Sequence, residues 1–115
     1  MELKNKALFK ESCFVGGKWI DSDSGEKIKV DNPANNEIIG EVPKCSTSET
    51  TKAIKEAQDA FPNWRDKTAK ERSIILQKWA RLIEQNVDDL ARIMTLEQGK
   101  PLAEAKGEIL MGVTY

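Results

Sequence analysis

The chain contains no histidine and has only two cysteines, Cys13 and Cys45. The lack of histidine excludes the Ser-His-Asp and Cys-His arrangements that activate a nucleophile. It also excludes histidine metal ligands, and two cysteines so far apart do not have the spacing of a zinc finger. Neither cysteine has an activating neighbour that the sequence reveals. Because the sequence shows no secretory signal, two reduced thiols are the expected state, with a disulfide as the alternative.

The chain also lacks an excess of charge and long apolar runs. Eighteen basic and nineteen acidic side chains give a formal net charge of -1, so there is no long-range field that would attract nucleic acid or an anionic membrane. No stretch approaches the roughly 18 consecutive apolar residues that cross a bilayer, and residues 1–12 do not have the apolar region of a signal peptide. The sequence predicts a cytoplasmic protein that binds neither nucleic acid nor membrane.

Phosphate-binding motifs are absent too. There is no GxGxxG after a strand and no Walker loop. The one glycine-lysine pair near a helix start, Gly99-Lys100, lacks the upstream glycine and the downstream hydroxyl of a phosphate cradle. The motifs therefore predict no catalytic residue and no cofactor-binding residue within this chain.

Turn and strand patterns occupy the first 45 residues. Residues 1–12 are mostly polar and predict a mobile or loosely docked lead-in. Gly16-Gly17 lies between the short apolar segments 13–15 and 18–20, which predicts a tight hairpin. Two further short strands are predicted at 28–30 and 37–42, the second ended by Pro43, which cannot donate a hydrogen bond to a sheet.

From Ser46 onward the apolar period is helical. Capping boxes at Ser46 and Thr68 begin two amphipathic helices, the first predicted to stop at Pro62 and the second near Asn86. Their apolar stripes are Ala53, Ile54, Ala57, Ala60 and Phe61 in the first helix, and Ile75, Leu76, Trp79, Leu82 and Ile83 in the second.

Two more helices meet at a corner. Asn86 is predicted to cap the third helix, Gly99 to end it in the left-handed conformation, and Pro101 to open the fourth. The apolar faces are Val87, Leu90, Ala91 and Met94, then Leu102, Ala105, Ile109 and Val113. Gly107 and Gly112 weaken the fourth helix, which predicts close approach by another element unless that helix is simply weak.

Five segments resemble, in order and spacing, the amino-terminal part of the aldehyde dehydrogenase superfamily, in particular its succinate-semialdehyde dehydrogenase branch. They are VGGKWIDSDSG (15–25), NPANNEIIGEVP (32–43), AQDAFPNW (57–64), TAKERSIILQKWARLIEQN (68–86) and LEQGKPLAEAKGEI (96–109). The resemblance implies an α/β aldehyde dehydrogenase-like fold for the whole enzyme. Residues 13–115, short strands with a hairpin followed by about four helices, would be an incomplete amino-terminal part of its Rossmann-like NAD(P)-binding domain.

The resemblance also implies an activity. In that family a cysteine thiolate attacks the aldehyde, hydride passes to NAD or NADP, and a glutamate-activated water releases the acid. This chain shows no counterpart of that cysteine or glutamate, and Cys45 matches a strand-to-helix junction instead. The chain alone is therefore expected to be inactive. The remainder of the fold would bind NAD or NADP and be its partner, and the full-length enzyme would be a homo-oligomer oxidising succinate semialdehyde or a related aldehyde.

Four residues match functional positions of the family. Backbone carbonyls near Asp31 and Glu97 would help to hold a structural monovalent cation, and Glu108 and Met111 would line the entrance tunnel for substrate. The alternatives are a turn carboxylate, a solvated helix end and a methionine that fills space in a packed face.

Two other functions remain open at this point. A free-standing helical domain could bind a protein partner through the apolar faces named above. A truncated, non-functional product would be unstable or would aggregate.

Overall fold

Four short strands precede four helices in the computed structural model, which describes residues 2–115. Met1, the first residue of the expected lead-in, lies outside the described residues. After a short 3₁₀ turn at Lys6–Leu8, the elements are β1 (Cys13–Val15), β2 (Lys18–Ile20), β3 (Lys27–Asp31), β4 (Ile38–Pro43), α1 (Thr47–Arg65), α2 (Ala69–Gln85), α3 (Val87–Gln98) and α4 (Leu102–Val113). The predicted order is confirmed. None of the helices in these residues is both long and apolar enough to cross a membrane.

The strands form two separate antiparallel pairs. β1 and β2 join through Gly16 and Gly17, whose φ angles of 57° and 76° are those of a tight primed hairpin turn. β3 pairs with β4, and β4 runs through Pro43, one residue beyond its predicted end. Both strands of a two-stranded sheet are edge strands, so a residue without an N–H group is tolerated there.

Helix α1 begins at its predicted capping box but does not stop at Pro62. The Ser46 side chain accepts a backbone N–H bond and Glu49 reaches back to the backbone of Ser46. The helix then continues past Pro62 to Arg65, and the amide of Asp66 donates to the Pro62 carbonyl at 3.0 Å. Proline has no N–H group and so removes one hydrogen bond from a helix. Here the helix still makes a further turn beyond Pro62. The predicted stop is wrong by three residues.

The second capping box is confirmed, and Asn86 occupies the predicted cap position before α3, but its side chain does not cap that helix. The Thr68 hydroxyl and Glu71 cap α2 reciprocally. The side chain of Asn86 makes no capping bond to α3. Its Nδ2 donates to the carbonyl of Leu82 at 2.7 Å, so this amide satisfies the carboxyl end of α2 instead.

The corner between α3 and α4 is confirmed. Gly99 has a φ of 77° and its amide donates to the Thr95 carbonyl at 2.8 Å. Pro101 directly precedes α4 with a φ of -54°. A Cβ atom on Gly99 would lie 3.0 Å from Cγ of Pro33, so the corner packs against the turn that joins β3 to β4.

Little apolar surface is buried within residues 2–115. The buried apolar side chains of this part of the chain are Leu3, Ala91 and Ala105, whereas Trp79 is 63% exposed. The radius of gyration is 16.6 Å, against about 13 Å for a compact domain of this length. The stripes on α1 and α2 have the predicted spacing, but large members of them are exposed, namely Ile54, Phe61, Ile75, Leu76, Trp79 and Leu82.

The close approach predicted at Gly107 and Gly112 is not made by any of residues 2–115. No heavy atom from elsewhere in this range lies within 4 Å of a Cβ built at either position. Both glycines instead face open space on α4.

The start of the chain docks on α3 through Asp89. Its carboxylate accepts hydrogen bonds from the amides of Lys4 at 3.0 Å and Asn5 at 2.8 Å, and Arg92 donates to the Glu2 carbonyl at 2.6 Å. These bonds give the beginning of the expected lead-in a defined position, while its mobility stays a prediction.

Gly99 and Gly107 form a matched pair for a stability test. Gly99→Ala should lower the free energy of unfolding by about 1 kcal/mol or more, because alanine resists a positive φ and its Cβ would press on Pro33. Gly107→Ala, in a helix with open space around it, should raise it by up to about 1 kcal/mol. Urea unfolding followed by circular dichroism measures both. Shifts in the same direction would contradict the assigned corner.

Candidate functional site

The turn that faces the Gly99 corner is held by its own hydrogen bonds. Asn32 Oδ1 accepts from the amide of Ala34 at 3.0 Å, and the Asn32 carbonyl accepts from the amide of Asn36 at 2.7 Å. Asn36 has a φ of 59°, a conformation that asparagine tolerates. Because Pro33 then contacts Gly99, this turn and the end of α3 form one site.

The carboxyl end of α3 supplies oxygen atoms to this site. The last four carbonyls of a helix have no partner within it, and the helix dipole places partial negative charge there. The last turn of α3 contains no basic residue. The hydroxyl of Thr95 is buried and has no hydrogen-bond partner within residues 2–115. Carbonyl and hydroxyl oxygens are ligands of the type that hard cations prefer.

Asp31 and Glu97, the two residues predicted beside a cation, lie on the two elements that meet here. Asp31 ends β3 and Glu97 lies in the last turn of α3, and these elements contact each other. Both side chains are exposed, and the sequence prediction concerns the backbone carbonyls rather than the carboxylates. The structure thus brings the two backbone segments together.

The predicted tunnel residues Glu108 and Met111 lie on α4. The Glu108 carboxylate forms an ion pair with Lys100 Nζ, which ties α4 to the corner. Met111 is 55% exposed. A groove of about 460 Å³ separates α2 from the end of α4, but neither residue lines it. Their role in a substrate tunnel stays a prediction.

The surroundings of Cys45 disfavour a nucleophilic thiolate. Burial raises the pKa of the Cys45 thiol, and so do its contact with the Cys13 thiol and the nearby carboxylates of Glu49 and Asp23. Catalytic cysteines need the opposite environment, a positive one that lowers the pKa. The environment of Cys45 is therefore that of a structural residue and not that of a catalytic nucleophile.

Sequence reasoning missed the tertiary role of Glu49. Residue Glu49 is only 5% exposed, and its carboxylate accepts hydrogen bonds from the amides of Asp23 at 2.7 Å and Ser46 at 2.8 Å. The Ser46 hydroxyl, followed by these amides, lowers the pKa of Glu49 to about 2. The capping box identifies the bond to Ser46, but no local pattern indicates the bond to Asp23. Glu49 thereby fastens the turn before β3 to the start of α1.

The two acidic residues at the start of α3, Asp88 and Asp89, also have partners outside that helix. Asp88 accepts from Lys106 at 2.6 Å and from Lys4 at 3.4 Å, and these two ammonium groups lower its pKa. Together with Asp89 it lines a cavity of about 440 Å³ between the lead-in, α3 and α4. Asp88 is paired with the two lysines, and Asp89 and Arg92 bond to the backbone of the lead-in, so this cavity is a structural junction.

Comparison with known proteins identifies the family. The sequence model described as the aldehyde dehydrogenase family matches residues 19–115. The chain belongs to the aldehyde dehydrogenase family. Over 115 residues this aldehyde dehydrogenase chain is 54% identical to glutarate-semialdehyde dehydrogenase of Pseudomonas putida. It is 50% identical to the NADP(+) succinate-semialdehyde dehydrogenase GabD of Escherichia coli. Each alignment covers 100% of this chain and 24% of the relative.

Solved structures contain the same arrangement of elements. An NADP-dependent enzyme of Escherichia coli superposes with a TM-score of 0.95 at 51% identity, over 97% of this aldehyde dehydrogenase chain and 23% of that one. Succinate-semialdehyde dehydrogenase from Burkholderia pseudomallei gives 0.95 at 48% identity, over 98% and 23%. The chain therefore spans about a quarter of the length of the relatives it matches. The predicted α/β aldehyde dehydrogenase fold and its succinate-semialdehyde dehydrogenase branch are confirmed.

The lowered pKa of Glu49 predicts a specific acid sensitivity. Its ordinary value is 4.5 and its folded value is about 2, so the carboxylate stabilises the fold above about pH 4.5 and loses this effect as the pH falls toward 2. Glu49→Gln should be less stable than the parent at neutral pH and should lose less stability over that range. Urea unfolding at a series of pH values measures this, with the exposed Glu84→Gln as control. Identical pH profiles for Glu49→Gln and the parent would refute the role of Glu49.

Proposed function

We propose that this chain forms the amino-terminal part of the cofactor-binding domain of an NAD(P)-dependent aldehyde dehydrogenase. The observation that carries the proposal is the identity of 50 to 54% with semialdehyde dehydrogenases over all 115 residues. The close superposition on an NADP-dependent enzyme supports it. Cytoplasmic location and homo-oligomeric assembly stay predictions.

The proposed substrate is succinate semialdehyde or a related aldehyde. Glutarate semialdehyde and succinate semialdehyde, the substrates named in the two relatives, share a short carbon chain with an aldehyde at one end and a carboxylate at the other. The product is the corresponding dicarboxylic acid. Such a substrate needs a positive or hydrogen-bonding group for the distal carboxylate in addition to the catalytic centre.

The residues of this chain do not fit a dinucleotide site by themselves. Within residues 2–115 the sheets are two antiparallel pairs, whereas dinucleotides bind at the carboxyl edge of parallel strands with a glycine-rich turn. In the complete enzyme NAD(P) would supply the hydride acceptor. We place the nucleophilic cysteine, the glutamate and the dinucleotide site in parts of the enzyme that lie outside these residues, so this chain alone would be inactive.

The structural role proposed for this chain is to hold β3, α3 and α4 in place around a bound cation. A monovalent cation would lie between the end of β3 and the end of α3, bound by backbone carbonyls near Asp31 and Glu97. The unpartnered hydroxyl of Thr95 and the uncompensated helix end support this position. Such a cation would fix the turn against the corner, and through Lys100 and Glu108 it would fix α4.

A chimera tests the proposed function. This chain replaces the matching segment of the Escherichia coli succinate-semialdehyde dehydrogenase, which is 50% identical to it. The chimera should oxidise succinate semialdehyde with NADP at a rate within about tenfold of the parent. Residues 1–115 alone should form no NADPH, because positioning catalysis fails when its groups are missing. Absorbance of NADPH measures both.

Two outcomes would overturn the proposal. One is a folded chimera without activity. The other is turnover by residues 1–115 alone that disappears in Cys45→Ser, because this would place the nucleophile where the environment opposes a thiolate.

The same chimera tests the cation and the tunnel residue. Its melting temperature should be higher in potassium or sodium chloride than in choline chloride at equal ionic strength, and Thr95→Val should reduce this difference while the exposed Thr51→Val should not. Equal melting temperatures in all three salts would contradict the cation site.

Met111→Ala in the chimera should change the KM for succinate and glutarate semialdehydes unequally. Equal KM changes for the two aldehydes would contradict the assignment of this residue to the tunnel.

A further inference from the structure

The two cysteines, 32 positions apart in the sequence, meet in the fold. Cys13 is the first residue of β1, and Cys45 lies between the end of β4 and the capping residue of α1. Their Sγ atoms are 3.8 Å apart, and both residues are half-buried. Neither the family assignment nor the proposed function uses this pair.

The surroundings of the pair do not suit a metal or a nucleophile. No group of three or more His, Cys, Asp or Glu side chains within residues 2–115 is placed to hold a metal ion. The Glu49 and Asp23 carboxylates near Cys45 oppose a standing thiolate. Two protonated thiols in contact, with no third ligand, can still react with each other in one way, which is oxidation to a disulfide.

The geometry allows that bond with a small movement. A disulfide requires an S–S distance of about 2.05 Å, so the two sulfurs must approach by less than about 2 Å. The β1–β2 hairpin is a two-stranded unit with Phe14 and Trp19 exposed on it, and an isolated hairpin of this kind adjusts easily. The closed loop would span residues 13–45 and enclose both strand pairs.

We propose that Cys13 and Cys45 form a reversible disulfide that fastens the β1–β2 hairpin to the junction between β4 and α1. The oxidant is a low-molecular-weight disulfide such as glutathione disulfide. One cysteine loses its proton and attacks the oxidant, forming a mixed disulfide and releasing one small thiolate. The second cysteine, also deprotonated, attacks the protein sulfur of that mixed disulfide and releases the other. The two cysteines lose two electrons, and the small disulfide leaves as two thiols that carry the two protons.

The first test locates the bond in the full chain. The protein is equilibrated in glutathione buffers, quenched with acid and digested with trypsin. Cleavage after Lys10, Lys18, Lys44 and Lys52 releases residues 11–18 and 45–52, each with one cysteine. Mass spectrometry should find these two peptides joined by a disulfide. The variants Cys13→Ser and Cys45→Ser should give only a glutathione adduct on the remaining cysteine. Glutathione on both cysteines of the parent, without the joined peptide, would overturn the proposal.

The second test asks whether the fold brings the thiols together. Folded protein should reach half-oxidation at a glutathione disulfide concentration at least about tenfold lower than protein in urea, because the fold raises the effective concentration of one thiol at the other. Equal midpoints would overturn the proposal. Because the pKa of Cys45 is raised, the rate of oxidation should also increase as the pH rises from 7 to 9.

A third measurement reports on the hairpin itself. Brief trypsin treatment should cleave after Lys18 more slowly in the oxidised parent than in the reduced parent, since the bond limits local opening of the hairpin. Dithiothreitol should restore the faster rate. Cys13→Ser should be insensitive to both treatments, and a parent that is equally insensitive would contradict the fastening role.

Discussion

The close packing of α3 against α4 depends on two alanines and one glycine. Ala91 and Ala105, one on each helix, are completely buried, and small side chains at such positions let helix axes approach to about 8 to 10 Å. The chain can fold α4 back onto α3 because Gly99 adopts a left-handed conformation between them. A larger residue at Ala91 or Ala105 would push the two helices apart, and a side chain at Gly99 would press on Pro33.

Other parts of the chain are attached to this helix pair by polar contacts. Asp89 holds the backbone of the lead-in, and Lys100 with Glu108 ties α4 to the corner. Pro33 places the turn between β3 and β4 against Gly99. Glu49 fastens the turn before β3 to the start of α1, and β1 is placed so that Cys13 meets Cys45. Two buried carboxylates, those of Glu49 and Asp89, thus link segments that are far apart in the sequence.

Local sequence patterns predicted the four strands and the four α-helices of the described residues, because capping boxes, paired glycines and a helix-ending glycine act within a few residues, but they did not predict the 3₁₀ turn at Lys6–Leu8. They were wrong at Pro62, where a further turn compensates the missing hydrogen bond, and at Asn86, whose amide serves the preceding helix. The partners of Asp89, Glu49 and Cys45 lie 26 to 85 positions away. Such pairings depend on the tertiary fold, so a single sequence does not reveal them. The spacing on α2 likewise predicts an apolar face without showing what covers it.

Exposure of the α1 and α2 faces is the feature that the proposed function must explain. Solved relatives hold this arrangement within chains about four times longer, and we propose that their remaining residues cover these faces. Amide hydrogen exchange of α2, compared between residues 1–115 alone and the chimeric enzyme, tests this most directly. We predict that α2 amides exchange at least about tenfold more slowly in the enzyme, since burial of the face opposes local opening, while amides around Ala91 and Ala105 change less. Equal exchange of α2 in both proteins would contradict the account.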